Sequence, residues 1–464
     1  MKYIFVILSI LVFSACSSKD IKTLKEVKKV QKKEPVKIEF IIVDKNTTVE
    51  VIKPDLVQDL VKIPQNIDTF LVNLQEKNTL YPIQTKYEKY YFSAWNQNKP
   101  KDSLTDVLWA FNTFTLGKSY GENLQLLDEK FFDEMLRNSN FKKYAKLNLK
   151  AITLKELNIR AFPTCRPLLM NPSKAGEGFP FDYMQNSTVH ANKPILLSHY
   201  SKDKEWAYIF TSFTSGWVKS SDLVLLSKHH TDIWQKAKQV RIIKENIPIY
   251  DNSNNFIFKS KIGMMFALVG EDKNSYTILT VSKYKNKKPL FVESKISKDI
   301  ASKEVLKLNK NNFKAIINEV KQTNYGWGGM YGQRDCSSMI RDLYAPFGIW
   351  LPRNSSKQAK IGKVISLENK TKKEKIAFIK ENALAFKTLL YKKGHILLYL
   401  GIYKDEIIVF HNVWGVKTKK NEIEGRFIIG KPVFSTLNLG NGLEYYDETS
   451  SILKNLKSMN ILTQ

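Results

Sequence analysis

The chain has 464 residues, 43% apolar and 12% aromatic, which excludes a disordered polymer and is too long for one ordinary core, so three or four domains are expected. Lysine and arginine number 73 against 45 aspartates and glutamates, a formal charge of +28, which suits a polyanionic partner such as a wall polymer, an anionic lipid or a nucleic acid. The basic residues are spread along the chain instead of gathered in a stripe, which disfavours nucleic acid, and cysteines at only 16, 165 and 336 exclude a disulfide scaffold.

Lys2 precedes an apolar run from Tyr3 to Phe13, then Ser14, Ala15 and Cys16. A bilayer crossing needs about twenty apolar residues, so 1–15 reads as a cleaved secretory signal and not as a span. Phe13-Ser14-Ala15-Cys16 resembles a bacterial lipobox. The resemblance implies a signal peptide ending at 15, lipidation of Cys16 and attachment to the membrane through the lipid. Ser17, in place of aspartate, implies a periplasmic lipoprotein anchored in the outer membrane. The competing reading is a plain cleaved signal with a cysteine at its boundary. No later segment is apolar enough to span, and export weighs further against nucleic acid. Residues 16–53, rich in lysine with scattered Glu, Val and Pro35, read as a tether that cannot bury enough surface to fold.

From 54 to 150 apolar residues fall at helical spacing, for example Val107, Leu108, Phe111, Phe114 and later Phe131, Phe132, Met135. Asp102, Asp106, Asp128 and Asp133 there read as caps and solvated faces. Residues 151–227 and 228–300 change to short β-type runs broken by Pro, Gly, Asn and Ser, the pattern of two small barrels in tandem. In 301–464 helical patterns precede a set of strands, an α+β arrangement. Trp109, Trp206, Trp217 and Trp234 read as core residues. Arg160-Ala161-Phe162-Pro163-Thr164, the run Phe179 to Ser187, His199-Tyr200-Ser201, Trp206 and Gly216-Trp217-Val218 together resemble the bacterial SH3 domain that precedes NlpC/P60 peptidases. That resemblance implies that loops of the first barrel approach a catalytic groove, with 178–185 as the candidate loop.

The most informative stretch is Tyr325-Gly326-Trp327-Gly328-Gly329 followed by Asp335-Cys336-Ser337-Ser338. Met339, Ile340, Leu343, Tyr344 and Phe347 repeat at helical spacing beyond it, and Gly348 and Pro352 supply a stop. Cys336 is therefore expected in the first turn of a helix with Asp335 as cap, where free amides and the helix dipole favour a thiolate. A bridge between Cys165 and Cys336 stays open on counting alone, but it would silence this thiol. Of six histidines, only 395 and 411 follow the cysteine. His395 opens the run 395–401, His411 closes the run 407–411, and Lys404-Asp405-Glu406 turns between them, which predicts a hairpin. In the favourable register, one nitrogen of His395 takes the proton of Cys336 while His411 holds the other. No His-Glu-x-x-His or Cys-x-x-Cys pattern occurs, so neither metal nor cofactor is expected. Trp327 and Trp414 flank the groove so defined, as core or as platform.

Tyr325, Trp327-Gly328-Gly329, Asp335-Cys336-Ser337, Leu351-Pro352-Arg353-Asn354-Ser355 with Gln358, Gly394-His395 and His411 resemble the NlpC/P60 family of papain-like fold. The resemblance implies Cys336 as nucleophile, His395 as general base and then acid, His411 as its orienting residue, and the Tyr325 hydroxyl in the oxyanion hole. It implies that Asp335, Ser337, Arg353, Asn354 and Ser355 lie against the substrate. It also implies a peptidoglycan hydrolase that cleaves between γ-D-glutamyl and meso-diaminopimelate in stem peptides. Ser338 stands where relatives commonly have glycine. Asn354 stands where relatives that recycle free stem peptides often have an aspartate to pair with an N-terminal ammonium, so stems still attached to glycan are expected as substrate. The alternatives are a recycling peptidase for free L-alanyl stem peptides, another papain-like amidase or transpeptidase, and a wall-binding lipoprotein with an inert catalytic domain.

Overall fold

A computed structural model describes residues 57–75, 84–285 and 288–462. The signal segment, Cys16 and the tether lie outside the described residues. Among the described residues no helix is long and apolar enough to cross a membrane.

The layout is a helical N-terminal region, two SH3-like β-domains and a C-terminal α+β papain-like domain. The helices of the N-terminal region are short, and the apolar residues of the region are buried against three hosts. Ile63, Ile67, Phe70, Leu71 and Leu74 enter the core of the C-terminal domain. Tyr87, Tyr91, Phe92 and Trp95 join the core of the second barrel. Ala110, Phe114, Leu127, Phe131 and Met135 share a core with Phe162, Leu168 and Met184 of the first.

The first barrel is a seven-stranded antiparallel sheet running from Leu149–Thr153 to Leu223–Leu225, with Ile159, Val189, Ile195, Ile209 and Val218 inside. The second follows helix Lys228–Lys236 and combines a five-stranded sheet with the two-stranded ribbon Pro248–Tyr250 and Phe256–Lys259.

In the C-terminal domain, helix Lys310–Val320 is capped by Asn309 and buries Phe313, Ile316, Ile317 and Val320. The spacing i, i+3, i+4, i+7 makes one stripe, and Phe313 packs on Phe347 with ring centroids 4.6 Å apart, beyond the helix Cys336–Tyr344. A six-stranded antiparallel sheet stands against both helices, in the spatial order Lys363–Ser366, Leu456–Ile461, Thr388–Lys392, His395–Tyr403, Glu406–Lys420, Ile423–Ser435.

Charges lock the C-terminal domain to the barrels just ahead of Cys336. Arg334 donates to Asp342 and to Glu245 of the second barrel, each at 2.8 Å, and Asp342 also accepts from Arg341 at 2.8 Å. His190 of the first barrel lies between Glu156, at 3.3 Å, and Asp342, at 3.5 Å. Arg334, Glu245 and Asp342 are all buried, so each depends on its partners for the solvation it has lost.

Candidate active site

Cys336 is the first residue of its helix, as the sequence pattern predicts. The Asp335 carboxylate accepts from the Ser338 amide at 2.8 Å, and the Asp335 amide donates to the Ser338 hydroxyl at 2.9 Å. Ser338, the departure from the family pattern, therefore closes a capping box, a device worth about 1 kcal/mol. The backbone amides of Ser337 and Ile396 favour the charged form of the Cys336 sulfur. Ile396 directly follows His395 and shares a buried core with Cys336, so the strand that opens with His395 lies against the helix of the thiol. Cys336 is 7% exposed, and both it and the exposed Cys165 are free.

The hairpin forms with a tighter turn and a longer second strand than expected. Tyr403 pairs with Glu406 around a two-residue turn, Lys404 and Asp405 with φ of 47° and 66°. Positive φ at both positions marks a turn whose twist matches the strands it joins. His411 does not close its strand; the strand continues to Lys420. In that register His395 Nε2 and His411 Nδ1 are 2.7 Å apart. His411 is fully buried and its Nε2 lies 2.9 Å from the Ser435 hydroxyl.

Electrostatics differ from the sequence expectation of a thiolate. Burial, with the Asp335 carboxylate adding to it, pushes the Cys336 thiol up to about 12, against the lowering effect of the two amides. Burial, with Lys392 nearby, pushes His395 down to about 3. Burial also holds His411 well below the ordinary imidazole value. Both the Cys336 thiol and the His395 imidazole are thus neutral at rest. The dipole of a nine-residue helix does not offset the loss of water around a buried sulfur.

Tyr325, Asp335, Cys336, Ser337, Arg353, Asn354 and Ser355 all border one groove of about 350 Å³. Gly394 also borders the groove, and His395, the next residue, is half-buried. Arg353 is a buried clamp: it donates to Asp335 at 2.5 and 3.1 Å, to the Ser337 hydroxyl at 2.9 Å and to Ser187 of the first barrel at 2.7 Å. Its hold on Asp335 keeps that carboxyl below the usual range in spite of burial. Burial and the nearby Cys336 and Asp335 push the Tyr325 hydroxyl well up, so it is a neutral donor.

The 178–185 segment meets the groove as anticipated, through Tyr183 and Gln185. Trp327 Nε1 donates to the Asp182 carbonyl at 3.0 Å, and Phe181 sits edge-on to both Trp327 and Trp414. Gly328 and Gly329, with φ of 58° and 86°, bring the loop onto the barrel strand Gln185–Val189; a Cβ on Gly329 would lie 2.1 Å from Thr188 Oγ1.

Trp206, Trp217 and Trp234 are core residues as read, but Trp109 is 36% exposed and lines the groove with Thr113 and Phe114. The helical segment therefore supplies a wall of the site that sequence reasoning missed, as it missed Ser187 and Ser435. No local pattern distinguishes these hydroxyls from ordinary strand serines.

Four family models match the chain. They describe an N-terminal stabilising domain of NlpC/P60 proteins at 5–144, an SH3 domain of SH3b1 type at 167–219, an SH3 domain of SH3b2 type at 229–273, and the NlpC/P60 family at 322–427. Residues 322–427 are a domain of the NlpC/P60 family. At the level of class this is a family of cysteine endopeptidases and peptidoglycan hydrolases. Among solved structures, the NlpC/P60 chain is similar to an NlpC/P60 endopeptidase from Photobacterium damselae subsp. piscicida, at 24% identity over 87% of this chain and 98% of that one, with a TM-score of 0.72. The fold is therefore shared over that 87% of the chain. An NlpC/P60 family protein from Bacillus cereus aligns at 14% identity over 68% of this chain and all of that one, 100%, with a TM-score of 0.44. No curated protein matches.

Proposed function

We propose that this NlpC/P60 protein is a DL-endopeptidase that cuts between γ-D-glutamyl and meso-diaminopimelate in stem peptides still attached to glycan. It works as an outer-membrane lipoprotein held through Cys16, with its SH3-type domains bound to the same polymer. The observation that carries the reading is a thiol at a helix N-terminus, backed by the strand that presents the His395–His411 pair.

The chemistry follows from a thiol and an imidazole that are both neutral at rest. As the Cys336 sulfur attacks the γ-carbonyl, His395 takes its proton. The oxyanion forms beside the amides that open the Cys336 helix and the neutral Tyr325 hydroxyl, donors already in position and shielded from water. The imidazolium then gives its proton to the departing amine of the diamino acid, and a water activated by the same ring hydrolyses the thioester.

Attached stems are favoured by the charge of the groove. Asp335 is the only carboxylate among the described residues that line it, and Arg353 occupies both of its oxygens. No free anion waits there for the ammonium of a free L-alanyl peptide, whereas an acylated alanine needs none.

Digestion of purified sacculi, with products identified by mass, tests the proposal. The wild type should leave glycan-attached stems that end in γ-D-glutamate and free peptides that begin with diaminopimelate, and Cys336→Ala should give neither. Asn354→Asp should raise turnover of free stem peptides by about 2- to 5-fold, the worth of one exposed charge pair. A wild type that already prefers free L-alanyl peptides to sacculi overturns the attached-stem assignment.

A further inference from the structure

The hydrogen-bond chain behind His395 continues past His411. His411 pairs across the sheet with Val433, and Ser435, two residues on, projects from the same face. The Ser435 oxygen lies 2.9 Å from His411 Nε2 and 2.9 Å from the Thr436 carbonyl oxygen. A carbonyl only accepts, so a contact of that length between two oxygens requires the Ser435 proton to lie between them. The lone pairs of Ser435 then face His411 Nε2, which must carry hydrogen. In neutral His411 this leaves Nδ1 as an acceptor, so His395 must donate to it from Nε2 across 2.7 Å. The lone pair of His395 is left on Nδ1, the one ring nitrogen free to receive the thiol proton.

We propose that Ser435 is a positioning residue that sets the tautomer of His411 and, through it, leaves His395 ready to act as a base at Nδ1. The proposal rests on the Cys336–His395 mechanism above and adds a fourth member to it. Remote parts of the chain hold that member in place. Asp59 accepts from the Thr436 amide and hydroxyl, both at 2.9 Å, and Gln65 brackets Phe434, donating to its carbonyl at 2.7 Å and accepting from its amide at 3.1 Å. Both residues beside Ser435 are thus fixed by the N-terminal segment 57–75, which grips the edge strand of the sheet.

Two measurements on the full chain test this. With the six histidines selectively labelled with nitrogen-15, two-bond proton–nitrogen correlations report each tautomer, and His395→Gln and His411→Gln assign the signals. Protonated Nε2 on both rings is expected; a proton on Nδ1 of either overturns the proposal, and this reading needs no change at 435. In kinetics, Ser435→Ala should lower kcat by about 10-fold or more with KM nearly unchanged, and Ser435→Thr, which keeps the hydroxyl, should recover most of it. Wild-type kcat and pH profile in a folded Ser435→Ala enzyme sinks this inference alone, provided Cys336→Ala is inactive. An active Cys336→Ala enzyme means that the thiol mechanism itself has failed.

Discussion

At the scale of single residues, burial decides the chemistry. The Cys336 helix has the cap and the N-terminal amides that favour a thiolate, yet the sulfur is raised because the site is closed to water and Asp335 stands next to it. The mechanism proposed above is consequently one of general base catalysis from a neutral thiol and a neutral imidazole, and its pH dependence follows. A base works only while unprotonated. With His395 lowered to about 3, the acid limb of kcat/KM should lie well below the ordinary imidazole value of about 6.5, and activity should persist at pH 5. Measuring kcat/KM on a soluble stem peptide from pH 4 to 9 checks it, and a half-maximum near 6.5 or above would contradict a neutral resting imidazole. The place of Cys336 in its helix, the Asp335 cap and the hairpin carrying both histidines were readable from sequence because each lies in a short pattern of its own. Ser435 was not, since its role arises from a register 24 residues after His411.

At the scale of elements, the link between the loop ahead of Cys336 and the first barrel is the sharpest constraint. Trp327, Gly328 and Gly329 bind the catalytic loop to the strand Gln185–Val189, and Gln185 Nε2 donates to the Gly328 carbonyl at 3.2 Å. Gly329→Ala would place a methyl 2.1 Å from Thr188 Oγ1 at a φ of 86°, where an L-residue is already strained by about 1 kcal/mol. The expected result is a loss of about 2–4 kcal/mol in stability and a displaced groove wall, read as a lower Tm and a raised KM. Thr188→Ala in the same chain should return part of both, because it removes the atom in closest contact. An unaltered melting curve for Gly329→Ala would show that the loop and strand are not in contact. The helical segment behaves differently. Its periodicity was plain in the sequence, but the hosts of its stripes were not, since a helix with one apolar face fits any complementary surface.

At the scale of the whole molecule, one buried charge cluster joins both barrels to the catalytic domain beneath Cys336. Asp342 holds Arg334 and Arg341, and Arg334 reaches Glu245. Asp342→Ala leaves the buried Arg334 and the half-buried Arg341 with one carboxylate fewer, a change that costs about 3–5 kcal/mol. A urea unfolding curve should move by that amount, and a shift under about 1 kcal/mol would mean the cluster is solvated. The consequence for function is rigidity: the groove has walls from three regions of the chain, Trp109, Tyr183 and Arg353 among them, and the cluster keeps them in register.

The sequence alone settled what depends on neighbours along the chain: the thiol in the first turn of its helix, the capping aspartate, the alternation of strand and turn that makes two barrels, and the hairpin that carries the histidines. Only the folded chain decided what depends on distant groups and on the exclusion of water. Thiol and imidazole are neutral because burial removes hydration from both. The tautomers follow from one carbonyl that can only accept. Trp109 becomes part of the groove because its helix packs on a barrel encoded later in the chain. Patterns along the chain encode local geometry, whereas proton positions and pKa values answer to everything packed around them.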